Sequence, residues 1–350
     1  MSFKIGEKEI GENKPTFIIA ELSANHMNDF NIAAETIKSM AEAGADAVKF
    51  QTFTPDTITI DCDNEYFQIN QGTVWDGQVL HELYEDAYMP WEWQPKLKKI
   101  AEDLGLIVFS SPFDKTSVEF LEEMDVPAYK IASFEITDIP LIEYVASKGK
   151  PIIISTGIAS LEDIELAVKA CLNKDNDKIA LLKCTSSYPA PLEEINLNTI
   201  PDINDKFGVI VGLSDHTLGG EVSTAAVALG ASIIEKHFIL DRNIGGPDSE
   251  FSMEPNEFKA MVDSIRNVEK ALGRVSYVLS DKMKSNREFS RSLFVVKDMK
   301  KGDIITEDNV RSIRPGFGLH PKYLKEILGK RINKDLKKGT PFKLEFIKGD

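Results

Sequence analysis

Val209-Ile210-Val211-Gly212-Leu213-Ser214-Asp215-His216-Thr217 and Ser232-Ile233-Ile234-Glu235-Lys236-His237-Phe238 decide the fold. In each segment an apolar run ends in a burst of polar groups that carries a histidine. Between them Gly219 to Leu229 reads as a helix closed by Gly230. Neither apolar run alternates with polar residues, as expected of parallel strands covered on both faces. The whole segment is one strand–helix–strand unit.

Working outward, the same unit recurs. Further strand candidates are Thr16 to Glu21, Ala47 to Gln51, Leu106 to Ser110, Ala128 to Ala132, Pro151 to Ser155 and Ile179 to Cys184. With Val209 to Leu213 and Ser232 to His237 they make eight. Helical patterns run from Asn31 to Ala43, Trp93 to Leu104, Ser117 to Met124 and Leu161 to Ala170, the last opened by a capping-box-like Ser160-Leu161-Glu162-Asp163. Eight such units predict an α/β fold of the (β/α)8 TIM-barrel type. A doubly wound open sheet is the alternative, but the Gly-rich turn usual after its first strand is missing.

Two segments interrupt the pattern. Residues Pro55 to Pro90 form a long insertion rich in aromatic and acidic groups, with Gly72-Thr73-Val74-Trp75-Asp76-Gly77 at its centre and Trp91-Glu92-Trp93 just beyond it. Long excursions of this kind often serve as lids. Near Ser280 a charged stretch leads into short β-like runs and Gly-bearing turns. We expect a barrel over residues 1–280, a linker over 281–290 and a small, mostly β domain over 291–350.

The net charge of -15 argues against nucleic acid and anionic membranes as partners. An anionic small molecule stays open, because a local lysine cluster inverts the field within one site. Cys62, Cys171 and Cys184 give an odd count and no disulfide framework. No apolar run is long enough for a bilayer. The expectation is a soluble cytoplasmic protein.

In such a barrel, chemistry sits where strands enter their following loops. There the sequence places Glu21, Asn25, His26, Lys49, Gln51, Ser110, Ser111, Lys130, Ser133, Glu135, Ser155, Lys183, Thr185, Ser186, Tyr188, Ser214, Asp215, His216, Lys236 and His237. Ionisable groups inside runs this apolar are costly unless paired or held at a rim. Lys49, Lys130, Ser111, Ser133, Ser155 and Ser214 suit a phosphate or carboxylate, with ammonium charge and directed hydroxyl donors. Glu21, Glu135 and Asp248 suit a base, a water-orienting group or a hydroxyl acceptor, and salt bridges to the lysines compete with that reading. His216 and His237, on neighbouring strands, can share one divalent ion. Two hydrogen-bonded structural imidazoles are the competing reading.

Taken in order, these segments resemble the sialic-acid synthase family. The matching stretches are Ile18-Ile19-Ala20-Glu21…Asn25-His26, Val48-Lys49-Phe50-Gln51, Ser111-Pro112-Phe113-Asp114, Lys130-Ile131-Ala132-Ser133, Ile154-Ser155-Thr156-Gly157, Gly212-Leu213-Ser214-Asp215-His216-Thr217, Glu235-Lys236-His237-Phe238 and Gly246-Pro247-Asp248. Phe289-Ser290-Arg291-Ser292 through Arg314-Pro315-Gly316-Phe317-Gly318 resembles the family's antifreeze-protein-like (SAF) domain. The resemblance implies condensation of phosphoenolpyruvate (PEP) with an open-chain N-acetylated amino sugar. On that reading Lys49, Ser111, Lys130, Ser133, Ser155, Ser186 and Ser214 hold PEP. His216 and His237 hold a divalent metal, Mn²⁺ first and Mg²⁺ or Co²⁺ as alternatives. Glu21 and Asp248 orient the sugar, Asn25, Gln51 and Tyr188 line its site, and Glu135 orients water. Arg314 reaches the sugar from the partner subunit of a domain-swapped homodimer.

Ser186, Ser249, Phe251 and the aromatic insertion resemble the pseudaminic branch, whose sugar is 2,4-diacetamido-2,4,6-trideoxy-L-altrose. N-acetylneuraminate and N,N'-diacetyllegionaminate synthases are the alternatives within the family. Outside it stand a non-catalytic sugar-binding protein, a metal-dependent pyruvate aldolase, and a Schiff-base aldolase using Lys130 or Lys183.

Overall fold

The computed structural model describes residues 1–70, 72 and 75–348. Eight parallel strands close into one barrel: β1 (Phe17–Glu21), β2 (Ala47–Thr52), β3 (Ile107–Pro112), β4 (Tyr129–Ile131), β5 (Ile152–Ser155), β6 (Ile179–Cys184), β7 (Ile210–Asp215) and β8 (Ile233–His237). They lie side by side in chain order, and β8 pairs with β1. Closure removes both sheet edges and rules out the open doubly wound sheet. Every residue of β1, β5 and β7 is buried. That is why these strands read as unbroken apolar runs: the barrel interior takes one face and the helices take the other.

Local chemistry starts the helices where the sequence suggests. Asp29 caps Phe30–Glu42 by accepting from the amides of Asn31 and Ile32. Ser160 and Asp163 form a reciprocal capping box before Leu161–Leu172. Three further helices escaped the periodicity reading: Ile139–Ala146, Thr199–Phe207 and Pro255–Leu272. The last carries Pro at its start and a Glu254–Glu257 capping box, so its signal was present.

An N-terminal hairpin, Ser2–Ile5 with Lys8–Gly11, was not anticipated either. Ile5 and Ile10 join the barrel core. Its turn packs on Ile107, the first residue of β3, and Lys8 pairs with Asp46, just before β2. The hairpin therefore covers the end of the barrel opposite the catalytic rim.

The aromatic insertion divides into parts. Short helices Pro55–Ile58 and Leu80–Ala87 flank an antiparallel bridge, Gln68 to Val79. Trp91 stacks on Phe120 and Trp93 packs edge-on against Phe30 and His26, so these two rings anchor the segment to the barrel wall. Thr73 and Val74 lie outside the described residues.

The chain divides into two compact units, Met1–Gly273 and Arg274–Asp350. The second has its own core around Leu293, Val295, Val310, Ile332 and Phe342. An antiparallel pair, Ser292–Val295 with Val310–Ile313, runs through it. The stretch expected as a linker holds a short helix, Asp281–Asn286.

Candidate active site

Strand register sets the site. Glu21 of β1 lies level with Lys49 of β2 on one side and His237 of β8 on the other. One layer deeper, Ser214 of β7 lies level with Glu235 of β8 and with Cys184 of β6. Side chains two apart on a strand share a face, so Glu235 points into the barrel with His237.

A buried charge cluster fills the layer. Lys49 forms an ion pair with Glu21 and lies 3.7 Å from Glu235, which is 3.7 Å from Lys130 as well. Ser214 Oγ donates to Glu235 Oε1 (3.1 Å). Lys49 Nζ donates to Ser111 Oγ (3.4 Å), and Lys130 Nζ donates to Ser155 Oγ (2.7 Å) and to the Ile131 carbonyl. Burial opposes the charge on Lys49, but Glu21 and Glu235 together raise its pKa above the ordinary lysine range. Burial outweighs the same glutamates at Lys130 and lowers its pKa. Burial also opposes ionisation of Glu235, yet the two lysines keep its carboxyl below the usual range. At Glu21 burial wins over Lys49 and pushes the carboxyl up to about 7. With Glu21 pushed up to about 7, the negative charge facing Lys49 is incomplete near neutral pH, which favours an incoming anion.

Beside the lysines lies a cradle of small groups. Ser186 Oγ donates to Ser133 Oγ (2.9 Å), which accepts in turn from the Ile158 amide (3.1 Å). Gly157 faces both hydroxyls. A Cβ there would sit 2.1 Å from Ser186 Oγ and 2.5 Å from Ser133 Oγ, so only glycine leaves the space open. Glu135 follows on the same loop. Its Oε2 is enclosed without a hydrogen-bond partner, and burial pushes its carboxyl up to about 7.

The histidines close the other side. Their ring centroids are 5.3 Å apart. His216 Nδ1 lies 3.0 Å from the Thr185 carbonyl, which only accepts, so Nδ1 carries a proton and Nε2 is the atom left for a metal. His237 Nδ1 is buried without a partner. Burial, helped by His216, holds its imidazole well below the ordinary range, hence neutral. Burial opposes the charge on His216, but Cys184 and the Thr185 carbonyl raise its pKa, so a divalent cation would replace a proton at Nε2 there and meet a neutral ring at His237. Among the described residues no group of three or more His, Cys, Asp or Glu forms a metal cluster, so water or substrate would complete such a set. Tyr188 packs on His216 and Phe251 on His237, with centroids 4.4 and 5.0 Å apart.

The remaining predicted residues vary in their tasks. Gln51 Nε2 donates to Glu21 (3.1 Å) and to Ser23 Oγ (2.9 Å), and Ser23 donates to Asp248. Asp248 lies 3.8 Å from His237 Nδ1. Asn25 spends its amide N–H groups on the Phe238 carbonyl and Ser252 Oγ and so braces the loop. Asp215 and Lys236, expected at the rim, instead face away from the site, because their neighbours Ser214 and Glu235 take the inward positions. Lys183 turns its ammonium to the Cys184 carbonyl and Thr185, half-buried. Arg314 belongs to the second unit. Sequence reasoning assigned no role to Glu235 or Ser23. Glu235 was findable, two residues before His237 and thus on its face.

At the mouth, the Trp75 indole N–H donates to the Pro247 carbonyl (3.0 Å) and its ring packs on Tyr188. A cavity of about 470 Å³ opens there, lined by Met27, Trp75, Gln78, Asp86, Pro247 and Glu250 among others.

The NeuB family model matches residues 36–277, and the SAF domain model matches residues 290–348. The chain belongs to the NeuB family. A pseudaminic acid synthase of Campylobacter jejuni serotype O:2 is 48% identical over 95% of this chain and 96% of its own length. The N,N'-diacetyllegionaminic acid synthase of the same strain is 38% identical over 93% of this chain and 98% of its own. Among solved structures, the N-acetylneuraminic acid synthetase of Leptospira borgpetersenii, in complex with citrate, superposes with a TM-score of 0.74 at 33% identity. That match covers 83% of this chain and 96% of the other.

Proposed function

We propose that the chain is a pseudaminic acid synthase: it condenses PEP with 2,4-diacetamido-2,4,6-trideoxy-L-altrose and water to give pseudaminic acid and phosphate. The observation that carries the reading is one of placement. A lysine–serine wall fit for an anion and a pair of facing imidazoles lie together, buried, at the C-terminal end of the barrel strands. Of two synthases from one Campylobacter strain, the chain is more similar to the pseudaminic one.

In this reading Lys49 and Lys130 take the PEP anion with Ser111, Ser155 and Ser214, and Ser133 and Ser186 donate from the cradle beside Gly157. His216 and His237 would hold a divalent cation, Mn²⁺ by preference, which would supply Lewis-acid polarisation of the sugar aldehyde. Glu21, Gln51, Tyr188 and Asp248 orient the open-chain sugar, so that PEP C3 faces the aldehyde carbon. The PEP C=C π pair forms a C–C bond there, the aldehyde π pair moves to its oxygen, which takes up a proton and becomes a hydroxyl, and C2 becomes electron-poor. Glu135 accepts a proton from the water that adds to C2. The C2–O bond to phosphate then breaks, phosphate leaves with the electron pair, and a 2-keto acid remains. A pyruvate aldolase reading accounts for neither the cradle nor the second lysine.

The test is phosphate release from PEP with Mn²⁺ and one sugar at a time. The altrose derivative should support turnover, with N-acetylmannosamine at least ~100-fold poorer, since a site shaped for one set of polar groups rejects another strongly. Release with N-acetylmannosamine alone, or only with the legionaminic precursor, would reassign the branch. No release with any sugar would favour a binding protein.

A homodimer, with Arg314 reaching the partner's site, belongs to the same reading. Val275, Tyr277 and Val278 are 91%, 95% and 82% exposed, and such apolar side chains call for a cover. Residues 274–350 hold 19 Lys and Arg against 10 Asp and Glu, and residues 1–273 hold 22 against 46. Opposite charges of this size favour association between unlike units of two chains. Mixing inactive His237→Ala with inactive Arg314→Ala should then recover about a quarter of parental activity, since half the dimers carry one intact site of two. Inactivity at every mixing ratio would place Arg314 in cis or outside the site. Three free cysteines are compatible with a cytoplasmic setting, and no helix among the described residues is long and apolar enough to cross a membrane.

A further inference from the structure

We infer that the buried Lys236–Asp215 ion pair is a positioning device that fixes His216 and His237 for their shared cation. The inference rests on the reading of those two rings as metal ligands. Asp215 immediately precedes His216, Lys236 immediately precedes His237, and the two are register partners across β7 and β8. Both side chains are fully buried and 2.8 Å apart.

The pair also grips the chain just beyond His216. Asp215 Oδ1 accepts from the Thr217 amide (2.9 Å) and hydroxyl (2.7 Å). Lys236 Nζ donates to the Thr217 carbonyl (2.6 Å). Asp215 Oδ2 accepts from Ser223 Oγ (2.7 Å), on helix Glu221–Ala228. His216 thus lies between Asp215, one half of the ion pair, and Thr217, which the pair, on the strand face opposite Ser214 and Glu235, grips by its amide, hydroxyl and carbonyl.

Stability gives no reason for this arrangement. Desolvating two charges costs about as much as their attraction returns, and apolar replacements of buried pairs are often neutral or stabilising. What an ion pair supplies and a methyl group does not is direction. Its hydrogen bonds fix where β7 ends and how His216 leaves it. Groups that orient ligands from behind typically change metal affinity by about 10–100-fold when removed.

The experiment titrates Mn²⁺ into the metal-stripped full-length protein without substrates and follows free Mn²⁺ by electron paramagnetic resonance. Parent, His237→Ala, Lys236→Met and Thr217→Val are compared, with apo-protein melting alongside. Lys236→Met should bind Mn²⁺ about 10–100-fold more weakly. Thr217→Val, which keeps volume and loses one hydroxyl bond, should show a smaller loss in the same direction. The visible band of bound Co²⁺ should shift in both, which a purely structural role would not produce. Parental affinity in the folded variants overturns the inference, and if Lys236→Met does not fold, Thr217→Val alone decides. If His237→Ala binds as tightly as the parent, the ligand reading itself falls and takes the inference with it.

Discussion

His237→Ala should abolish phosphate release, by at least ~10⁴-fold in kcat, while the barrel stays folded. Losing activation of a carbonyl that must accept a weak enol nucleophile removes several kcal/mol of transition-state stabilisation, and each ~1.4 kcal/mol is tenfold in rate. The fold should tolerate the change, because His237 Nδ1 has no hydrogen-bond partner to strand. What is lost is ring packing on His216 and Phe251, worth about 1–3 kcal/mol. His216→Ala should be equally inactive but less stable than His237→Ala, since it also orphans the Thr185 carbonyl. Phosphate release with saturating Mn²⁺, and thermal melting of each variant, check both halves. Metal-dependent turnover within tenfold of the parent in either variant would sink the metal-pair reading.

The eight strands were legible because each is a short apolar run with both faces covered, a pattern that needs no knowledge of neighbours. The helices were less so. Ile139–Ala146 is mostly apolar and lacks a clean polar face, so periodicity alone does not separate it from a strand. At the site, the residues after strand ends were readable from position, but their directions were not. Asp215 and Lys236 looked like rim groups beside two histidines, and only the two-residue alternation of the strands sends them to the outer wall. Glu235 was hidden for the complementary reason: within Ile233-Ile234-Glu235 it looks like an intrusion into core, whereas it is the counter-ion of two lysines. The net charge of -15 averages a strongly acidic barrel with a basic C-terminal unit, and so conceals the feature that bears on assembly.

Glu135→Gln should lower kcat by about 10²–10⁴-fold, the usual worth of a positioned acid or base, and change the pH profile in a way no structural role predicts. The Glu135 carboxyl is pushed up to about 7 by burial. As the base for water addition it must be ionised, so parental kcat/KM should fall as pH drops below about 7, up to tenfold per unit. Glu21 is pushed up to about 7 as well, and the variant separates the two. If the acid limb belongs to Glu135, residual activity of Glu135→Gln is flat there; an unchanged limb would assign it to Glu21. Stability supplies an independent check. A carboxyl whose folded pKa is raised keeps its proton in the folded state after the unfolded chain has released it. Between about 4.5 and 7 the folded protein therefore binds more protons, and stability falls as pH rises through that window. The cost is complete above about 7 and absent below the unfolded pKa. Glutamine removes it, so Glu135→Gln should be more stable than the parent at pH 8, by about 1–3 kcal/mol, and should match it near pH 4. A slow enzyme that melts higher only at alkaline pH is the result expected of a carboxylate kept at the expense of the fold for its chemistry.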